Sequence, residues 1–530
     1  MIYDIVVVGG GIVGAGAARD ATMRGLRVAL VEQADFAYGT SSRSSKLVHG
    51  GLRYLERGEL GLVFEAVSER RVLLGIAPHL VTPLGFLFPI YAGSRHSAFM
   101  LNVGMWLYDG LSLFRSPKLH RNLSATQAFE EEPELLRDGL QGAPLYYDCR
   151  TDDARLTIEN ALDAAARGAT VHTWTRVESL LRDSSGQVSG VVARDALRGE
   201  AREIHARVVL NCTGPWAEGV RGKAMLRRTK GVHVVVDTSR LRVKNAVVCL
   251  HPRDGRVLFV IPWDDRTYIG TTDTDWDGDP AFVAADSADV DYLLEAANRY
   301  FDHAKLTRDD VIATWAGLRP LIAEEGAGTT SAVSREHAVV VDSDGLITIA
   351  GGKLTTYRRM ARELVDRALV SLRASGAPLG PLTASSTDRE PLPGGRAWPG
   401  SLAEVERSIL AVGSVDDATA AMFASVYGTR GVTLAERVAA EPALGQALVP
   451  GRPERLVQVD WAVDEELAQR VSDVMIRRTQ LFFRDRDQGL GALARVADRM
   501  ALRLGWSAER REAEVADYAA EVALSRAWRR

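Results

Sequence analysis

The chain opens with two short apolar runs, separated by a glycine-rich turn and a segment of helical character. Residues 2–9 (IYDIVVVG) are mostly apolar and β-branched, which is typical of a strand buried in a parallel sheet. Helical character then extends to Arg24, and the second apolar run (LRVALVE) ends at Glu32. This pattern predicts a strand, a helix and a second, parallel strand.

The turn carries the first candidate chemistry. Gly9, Gly11 and Gly14 have the G-x-G-x-x-G spacing, and Glu32 ends the second strand. Such glycines allow a pyrophosphate to approach the helix N-terminus, and an acid at this place accepts a ribose hydroxyl. We therefore predict a dinucleotide site in preference to an ordinary glycine turn, although this motif does not separate NAD from FAD.

Three later stretches favour FAD over NAD. They are the hydroxyl-rich TSSRSSKLVHGG (residues 40–51), VVLNCTGPW (208–216) and GLITIAGGKLTTY (345–357). Each alone is typical of a glycine-containing turn. Together they predict a second strand–glycine–helix junction, whose helix N-terminus faces the pyrimidine edge of a flavin buried lengthwise.

Composition excludes several classes of protein. The chain has 530 residues, a net charge of −4 and three cysteines, so we expect two or three domains, no nucleic-acid partner and neither disulfides nor zinc. No signal peptide or membrane-spanning run is evident, which favours the cytoplasm. The acidic stretch that begins at Asp273 resembles a calcium loop, but its twelfth position is Ala284, so we expect no metal.

Several of these stretches together resemble the FAD-dependent glycerol-3-phosphate dehydrogenase family, in its aerobic, respiratory type. They are GGGIVGAGAARDATMRG, TSSRSSKLVHGGLRYLE, CTGPW, IGTTDTD, GLRPL, GGKLTTYRRMA and, in the tail, DEELAQRVSDVMIRRTQLFF. One departure is Val13, where the family commonly has Asn. We expect this change to affect kinetics or flavin potential, with FAD binding retained.

The resemblance and the patterns together predict an α/β fold. It comprises a Rossmann-like FAD-binding domain of the glutathione-reductase and D-amino-acid-oxidase type, an inserted antiparallel-sheet substrate domain and a helical C-terminal domain. Helical spacing of apolar residues such as Val471, Met475, Val496 and Met500 supports the last of these. The predicted boundaries are 1–80, 150–225 and 335–375 for the FAD domain, 81–149 and 226–334 for the substrate domain, 376–400 for a linker and 401–530 for the helical domain.

The resemblance implies oxidation of sn-glycerol 3-phosphate to dihydroxyacetone phosphate, by hydride transfer to N5 of FAD. Electrons then pass to a membrane quinone or, in some members, to oxygen. A phosphate substrate needs cations, and Arg is suited to bidentate binding. The predicted substrate residues are Arg53, Tyr54, Arg319, Arg335, Lys353 and Thr272.

The base that takes the hydroxyl proton stays open between two histidines. His49 adjoins the glycine pair Gly50 and Gly51, and His233 lies in a strand-like segment. Arg319 is the candidate for electrostatic assistance. The residues predicted to contact non-covalently bound FAD are Gly9, Gly11, Ile12, Val13, Gly14, Glu32, Thr40, Ser41, Ser42, Ser45, Lys46, Leu47, His49, Gly50, Gly51, Val177, Thr213, Gly214, Trp216, Gly317, Gly352, Lys353, Leu354 and Thr355.

Some alternatives remain open at this point. Residues 97–121 mix aromatic and aliphatic residues with a basic end, which suits either a membrane surface or a core helix. The helical tail suits a packing cap or a homodimer contact. An oxygen-using oxidase, an amine or 2-hydroxy-acid oxidase of the same fold and a non-catalytic flavin-binding protein are the competing functions.

Overall fold

The computed structural model describes residues 1–51, 58–93, 98–113, 116–323, 336–376 and 378–529. Arg53, Tyr54 and Arg335, all predicted to bind the substrate, lie outside the described residues. The described strands, in chain order, are β1 (Ile2–Val8), β2 (Val28–Val31), β3 (Leu47–Val48), β4 (Thr82–Leu87), β5 (Ile90–Tyr91), β6 (Arg121–Ser124), β7 (Leu140–Arg150), β8 (Thr170–His172), β9 (Thr175–Arg182), β10 (Val188–Asp195), β11 (Ala201–Asn211), β12 (Leu226–Asp237), β13 (Ala246–Leu250), β14 (Val257–Trp263), β15 (Arg266–Gly270), β16 (Thr274–Asp275), β17 (Val311–Ile322), β18 (His337–Val341) and β19 (Ile347–Gly351).

Helices occur between these strands and throughout the C-terminal part of the chain. The described α-helices are α1 (Ile12–Met23), α2 (Leu60–Ile76), α3 (Ala98–Leu111), α4 (Ala125–Glu131), α5 (Asp153–Ala166), α6 (Ala217–Arg221), α7 (Ser287–Tyr300), α8 (Tyr357–Ala374), α9 (Leu402–Leu410), α10 (Asp417–Tyr427), α11 (Gly431–Ala440), α12 (Val457–Asp464), α13 (Leu481–Arg484), α14 (Leu493–Leu504) and α15 (Ala508–Ser525).

The first sheet has a parallel centre in the order β19-β11-β1-β2-β8. Antiparallel strands extend it: β18 pairs with β19, and the β9–β10 pair joins the first half of β11. Ile5, Val6 and Val7 of β1 are completely buried, as expected of a central parallel strand. Helices α1, α5 and α8 supply side chains to the core on one face of this sheet.

The predicted strand–helix–strand unit is present at the start of the chain. Gly14 is required where α1 crosses β1, because a Cβ there would lie 1.9 Å from the carbonyl oxygen of Gly9. Gly9 itself has a φ of +107°, which L side chains rarely adopt. These glycines therefore serve the backbone path as well as the space in front of the helix.

The second sheet is mostly antiparallel and runs in the order β16-β12-β15-β14-β13-β4-β7-β3, with β17 also paired to β12. The β12–β17 pair is long: Leu226 lies opposite Ile322, and Val236 lies opposite Val311. Helix α7 packs on one face with a core of its own. Side chains of this sheet also share a core with helices α9 to α14 of the C-terminal region.

Helix α3 has features of both a core helix and a membrane-surface helix, which were the two interpretations of residues 97–121. Leu101, Met105 and Tyr108 are buried against the sheet, whereas Phe99 and Trp106 are among its exposed apolar side chains. None of the helices within the described residues is long and apolar enough to cross a membrane. The free cysteines Cys149, Cys212 and Cys249 are all buried. The proposed domain boundaries stay a prediction.

Candidate cofactor and substrate site

A cavity lies at the carboxyl ends of β1, β2, β11 and β19. It receives the N-terminus of α1, the loop after β2 and the segment between β19 and α8. The predicted cofactor residues in its walls are Gly9, Gly11, Ile12, Val13, Glu32, Thr40, Ser41, Val177, Thr213, Gly214, Trp216, Gly352, Lys353 and Leu354.

The N-terminus of α1 forms one wall of the cavity. Its N-cap residue is Gly11, which has no side chain of its own to cap the helix. The backbone N–H of Ile12 donates to Ser41 Oγ at 2.9 Å, which brings the hydroxyl-rich stretch to the glycine turn. Free helix N–H groups beside a glycine turn attract a pyrophosphate, so this wall fits the middle of FAD.

Glu32 lies in the cavity wall beside the glycine turn. Its carboxylate accepts the backbone N–H groups of Gly10 at 2.5 Å and Ala34 at 2.9 Å. Burial raises the pKa of Glu32 to about 7, although both N–H donors act in the opposite direction. The carboxylate is thus fixed where a ribose hydroxyl of a dinucleotide is expected.

The second junction forms another part of the cavity wall. Gly351 and Gly352 have φ values of +74° and +83°, so the chain turns sharply between β19 and α8. A Cβ on Gly352 would lie 2.2 Å from Cε of Met360. Lys353 follows in the cavity wall, and two residues later Thr355 Oγ1 accepts the backbone N–H of His49 at 3.1 Å. The two glycine-containing segments therefore meet.

His233 projects from β12, where it lies opposite Gly270 of β15 and Trp315 of β17. Its Nε2 is 2.9 Å from Ser45 Oγ, and its ring stacks on Trp315 with centroids 4.7 Å apart. A Cβ on Gly270 would lie 2.0 Å from His233 Cδ2, so only glycine leaves room for the ring. Its Nδ1 is buried and has no hydrogen-bond partner among the described residues.

Two cations, Arg319 and Lys46, act on this ring. Burial, followed by the charges of Arg319 and Lys46, holds the pKa of His233 well below its usual range. The ring is therefore neutral near pH 7 and can accept a proton. Lys46 lies over the faces of Trp263 and Trp315 and is paired to Asp153 at 2.6 Å.

Arg319 lies on β17, beside Thr271 and Asp273 at the end of β15. Its guanidinium donates to Asp273 Oδ1 at 3.0 Å, to Thr271 Oγ1 at 3.2 Å and to the Thr272 carbonyl at 3.1 Å. The Thr272 hydroxyl accepts the backbone N–H of Val232 at 3.0 Å. Thr272 is buried, and Thr271 is the threonine whose hydroxyl reaches the arginine.

The remaining predicted cofactor residues lie outside the cavity walls, and the structure gives several of them other contacts. The Gly50 N–H donates to Tyr108 Oη at 3.0 Å, and a Cβ on Gly50 would lie 2.3 Å from the same oxygen. A Cβ on Gly317 would lie 2.7 Å from the Arg43 carbonyl oxygen. The set consists of Gly14, Ser42, Ser45, Lys46, Leu47, His49, Gly50, Gly51, Gly317 and Thr355.

Sequence reasoning missed other residues of the cavity wall, including Gln33, Tyr38, Arg176 and Pro320. Tyr38 stacks against Trp216 with ring centroids 6.0 Å apart. No spacing pattern marks Tyr38, because it lies in the irregular loop after β2. Pro320 was detectable only from its position next to Arg319.

No group of three or more His, Cys, Asp or Glu residues in the described ranges is arranged to hold a metal ion. Asp273, the first residue of the stretch that resembles a calcium loop, instead binds two arginines. Arg319 approaches one of its carboxylate oxygens, and Arg256 approaches the other at 2.8 Å.

Comparisons with known proteins agree with this geometry. Residues 4–358 match the family model described as FAD dependent oxidoreductase, and residues 385–511 match the C-terminal domain of alpha-glycerophosphate oxidase. The chain is 38% identical to an aerobic glycerol-3-phosphate dehydrogenase of Staphylococcus epidermidis, over 99% of this chain and 95% of the relative. It is 40% identical to a glycerol-3-phosphate dehydrogenase of Mycobacterium leprae, over 98% and 88%.

A solved structure shows the same fold. The glycerol-3-phosphate dehydrogenase from Bacillus halodurans, complexed with FAD, superimposes with a TM-score of 0.81 at 34% identity. The superposition covers 99% of this chain and 95% of that chain. The predicted fold class and the predicted cofactor, FAD, are thereby confirmed.

Proposed function

Because the chain belongs to the FAD-dependent glycerol-3-phosphate dehydrogenase family, we propose that it oxidises sn-glycerol 3-phosphate to dihydroxyacetone phosphate. The observation within this molecule that carries the proposal is the neighbourhood of His233 and Arg319. A neutral imidazole and a guanidinium lie together on β12 and β17, and Pro320, next to Arg319, belongs to the cavity wall.

The residues that line the cavity are of the types that hold FAD. Glu32 would hold the ribose, the N-terminus of α1 with Ser41 would hold the pyrophosphate, and the turn at Gly352 would lie by the ring system. When bound, FAD supplies a two-electron acceptor that takes a hydride at N5.

The chain's own residues bind the substrate anion and move its proton. Arg319 and Lys353 provide positive charge for the phosphate, and Arg319 also stabilises negative charge that develops on the C2 oxygen. His233 accepts the C2 hydroxyl proton on its ring, which Ser45 and the stacked Trp315 hold in orientation. We favour His233 over His49 as the base because Ser45 and Trp315 hold its ring in place.

Anaerobic reduction of the bound flavin tests this proposal. We expect sn-glycerol 3-phosphate to bleach the flavin spectrum, whereas glycerol, glycine and lactate leave it oxidised. Bleaching by glycine or lactate would instead favour an amine or 2-hydroxy-acid oxidase. If none of these compounds changes the flavin spectrum, the result would favour a non-catalytic flavin-binding protein.

We also propose that electrons leave through a membrane quinone, with the outer face of α3 on the membrane surface. The support is a continuous set of exposed apolar side chains on that helix: Phe99, Met100, Val103, Trp106 and Leu107. An apolar helix face that lies in the membrane interface would bring the protein to a lipid-soluble acceptor. In this arrangement the protein lies peripherally on the inner face of the cell membrane.

Vesicle flotation and acceptor rates test this second proposal. The double variant Phe99→Ser/Trp106→Ser should lose flotation with vesicles and reduction of a vesicle-embedded quinone, while flavin reduction stays unchanged. Phe282→Ser is the matched control, because Phe282 is equally exposed in another part of the chain. Equal flotation of both variants would contradict the assignment to α3, and faster turnover with oxygen than with quinone would indicate an oxidase.

A further inference from the structure

Asp35 lies three residues after Glu32 and is completely buried. Its carboxylate contacts two consecutive arginines of the C-terminal region, Arg477 and Arg478. Arg478 Nη2 donates to Asp35 Oδ1 at 3.0 Å, and another of its nitrogens contacts Oδ2. The partners are separated by more than 440 positions along the chain, so this is a long-range connection.

The arginine pair lies in an unusual turn of helix. Residues Asp473–Arg478 form a π-helix, in which the N–H of Thr479 donates to the Val474 carbonyl at 2.9 Å. Consecutive residues of an α-helix point about 100° apart, yet here both guanidinium groups reach one carboxylate. Wide turns of this kind occur frequently at functional sites.

Other residues fix the two arginines. Arg477 Nη2 donates to Asp473 Oδ1 at 2.9 Å, and Arg478 Nη2 donates to the Glu466 carbonyl at 2.8 Å. Asp473 also accepts the indole N–H of Trp174 at 3.1 Å. The charges of this cluster are therefore matched inside the protein, where an unmatched charge is strongly unfavourable.

The same segment forms part of the cofactor cavity. The N–H of Ala37 donates to the Gly10 carbonyl at 3.1 Å, and the N–H of Trp174 donates to the Ala34 carbonyl at 2.8 Å. Ala34 in turn donates its N–H to Glu32, and Gln33 and Tyr38 line the cavity. Asp35 itself does not line the cavity, so it acts only through its neighbours.

We propose that Arg477 and Arg478 are positioning residues for the adenosine half of FAD. They hold residues 32–38 against the glycine turn, and so keep Glu32 where it receives the ribose. The helical C-terminal region thereby controls how tightly the nucleotide end of FAD is bound. This inference depends on FAD binding alone and is independent of the substrate.

The test compares FAD with FMN, which lacks the adenosine half. Holoenzyme is purified, the flavin is removed, and dissociation constants for FAD and FMN are measured by flavin fluorescence. Arg478→Gln should weaken FAD binding by about 10-fold or more and leave FMN binding within about twofold. A shorter residence time of FAD on the undisturbed holoenzyme should accompany this change.

Arg484→Gln is the matched control. Arg484 belongs to the same C-terminal region, and it pairs at 2.8 Å with Asp265, in the loop between β14 and β15 of the second sheet. We expect this variant to keep the parent's affinity for both flavins. If it weakens FAD as much as Arg478→Gln does, the effect is general to the C-terminal contact and the proposal fails.

A second variant tests the proposal even if Arg478→Gln fails to fold. Asp35→Asn leaves Arg477 paired with Asp473, and it should also weaken FAD more than FMN. In the double variant Asp35→Asn/Arg478→Gln no buried charge is left unmatched at this contact, so part of the FAD affinity should return. Equal losses for FAD and FMN, or unchanged FAD affinity in both single variants, would overturn the proposal.

Discussion

Two regions of the molecule differ in how their charges are balanced: the cavity wall around Glu32, which is the nucleotide end, and the neighbourhood of His233 and Arg319, which adjoins the cavity at Pro320 and is the proposed reacting end. At the nucleotide end, Asp35 is matched by two arginines whose side chains are at most 2% exposed, and Glu32 is held by backbone N–H groups. At the reacting end, Arg319 is 22% exposed, and its charge and that of Lys46 act on the neutral His233. The first region is enclosed by buried ion pairs, whereas in the second Arg319, although paired with Asp273, keeps part of its side chain exposed to solvent.

This difference matches the proposed roles of the two regions. One holds FAD, which stays bound, and the other binds the substrate, which exchanges. In a buried and fully paired region, the protein groups already have their final geometry before FAD binds. This suits a cofactor that is retained through many turnovers. A cation at the edge of solvent can bind an anion and release it, because its other contacts remain hydrated or replaceable. Substitutions at the two ends should accordingly change different measurements.

The largest expected effect is at the reacting end. Arg319→Ala should lower kcat/KM for glycerol 3-phosphate by about 10- to 100-fold, since removal of a charged hydrogen bond costs about 1.5–3 kcal/mol. FAD content should not change. Arg256→Ala is the matched control, because Arg256 is also 22% exposed and binds the same Asp273. If steady-state kinetics show equal losses of kcat/KM in both variants, the role given to Arg319 is contradicted.

At the nucleotide end, Glu32→Gln should weaken FAD by about 10-fold, because a neutral amide is a weaker acceptor for the ribose hydroxyl. The KM for glycerol 3-phosphate should stay the same. Glu132→Gln is the control: Glu132 is also buried, also accepts backbone N–H groups, from Lys244 and Asn245, and burial likewise raises its pKa to about 7. In a flavin titration, Glu32→Gln should bind FAD more weakly than Glu132→Gln does. Equal FAD affinities of the two variants would show that Glu32 does not contact FAD.

A smaller effect concerns the pH dependence of turnover. The pKa of His233 lies well below the ordinary value of about 6.5, first because of burial and then because of Arg319. A neutral base should therefore keep kcat constant as the pH falls through 6.5. Arg319→Gln removes one of the causes, so the acid limb of its profile should begin at a higher pH. An unchanged limb would exclude His233 as the titrating base.

The features that could be predicted from the sequence are those that depend on the spacing of neighbouring residues. The first strand–helix–strand unit, Glu32 and the turn at Gly352 follow from neighbouring residues. His233 was one of two histidines left open as the base, and the role of Arg319 was implied by the resemblance. Their proximity was not predictable locally, because it depends on the register of β12 with β17. The contact of Asp35 with Arg477 and Arg478 has no local signal at all. Lys46 was predicted to contact the cofactor, but its buried partner Asp153 lies more than a hundred residues away.

The smallest expected effect concerns stability and compares the same two carboxyl groups. Burial raises the pKa of Glu32 and of Glu132 to about 7, above the usual value of about 4.5 for Glu. Between those values the folded chain holds more protons than the unfolded chain, so each group lowers stability as the pH rises from about 4.5 to 7. Glu132→Gln should flatten this decline in thermal unfolding of both the FAD-free and the FAD-bound protein. Glu32→Gln should flatten it clearly only in the FAD-free protein, because in the bound protein the ribose hydroxyl stabilises the charged carboxylate of the parent. If the two variants give identical pH profiles in both forms, Glu32 does not respond to FAD and the contrast between the two regions fails.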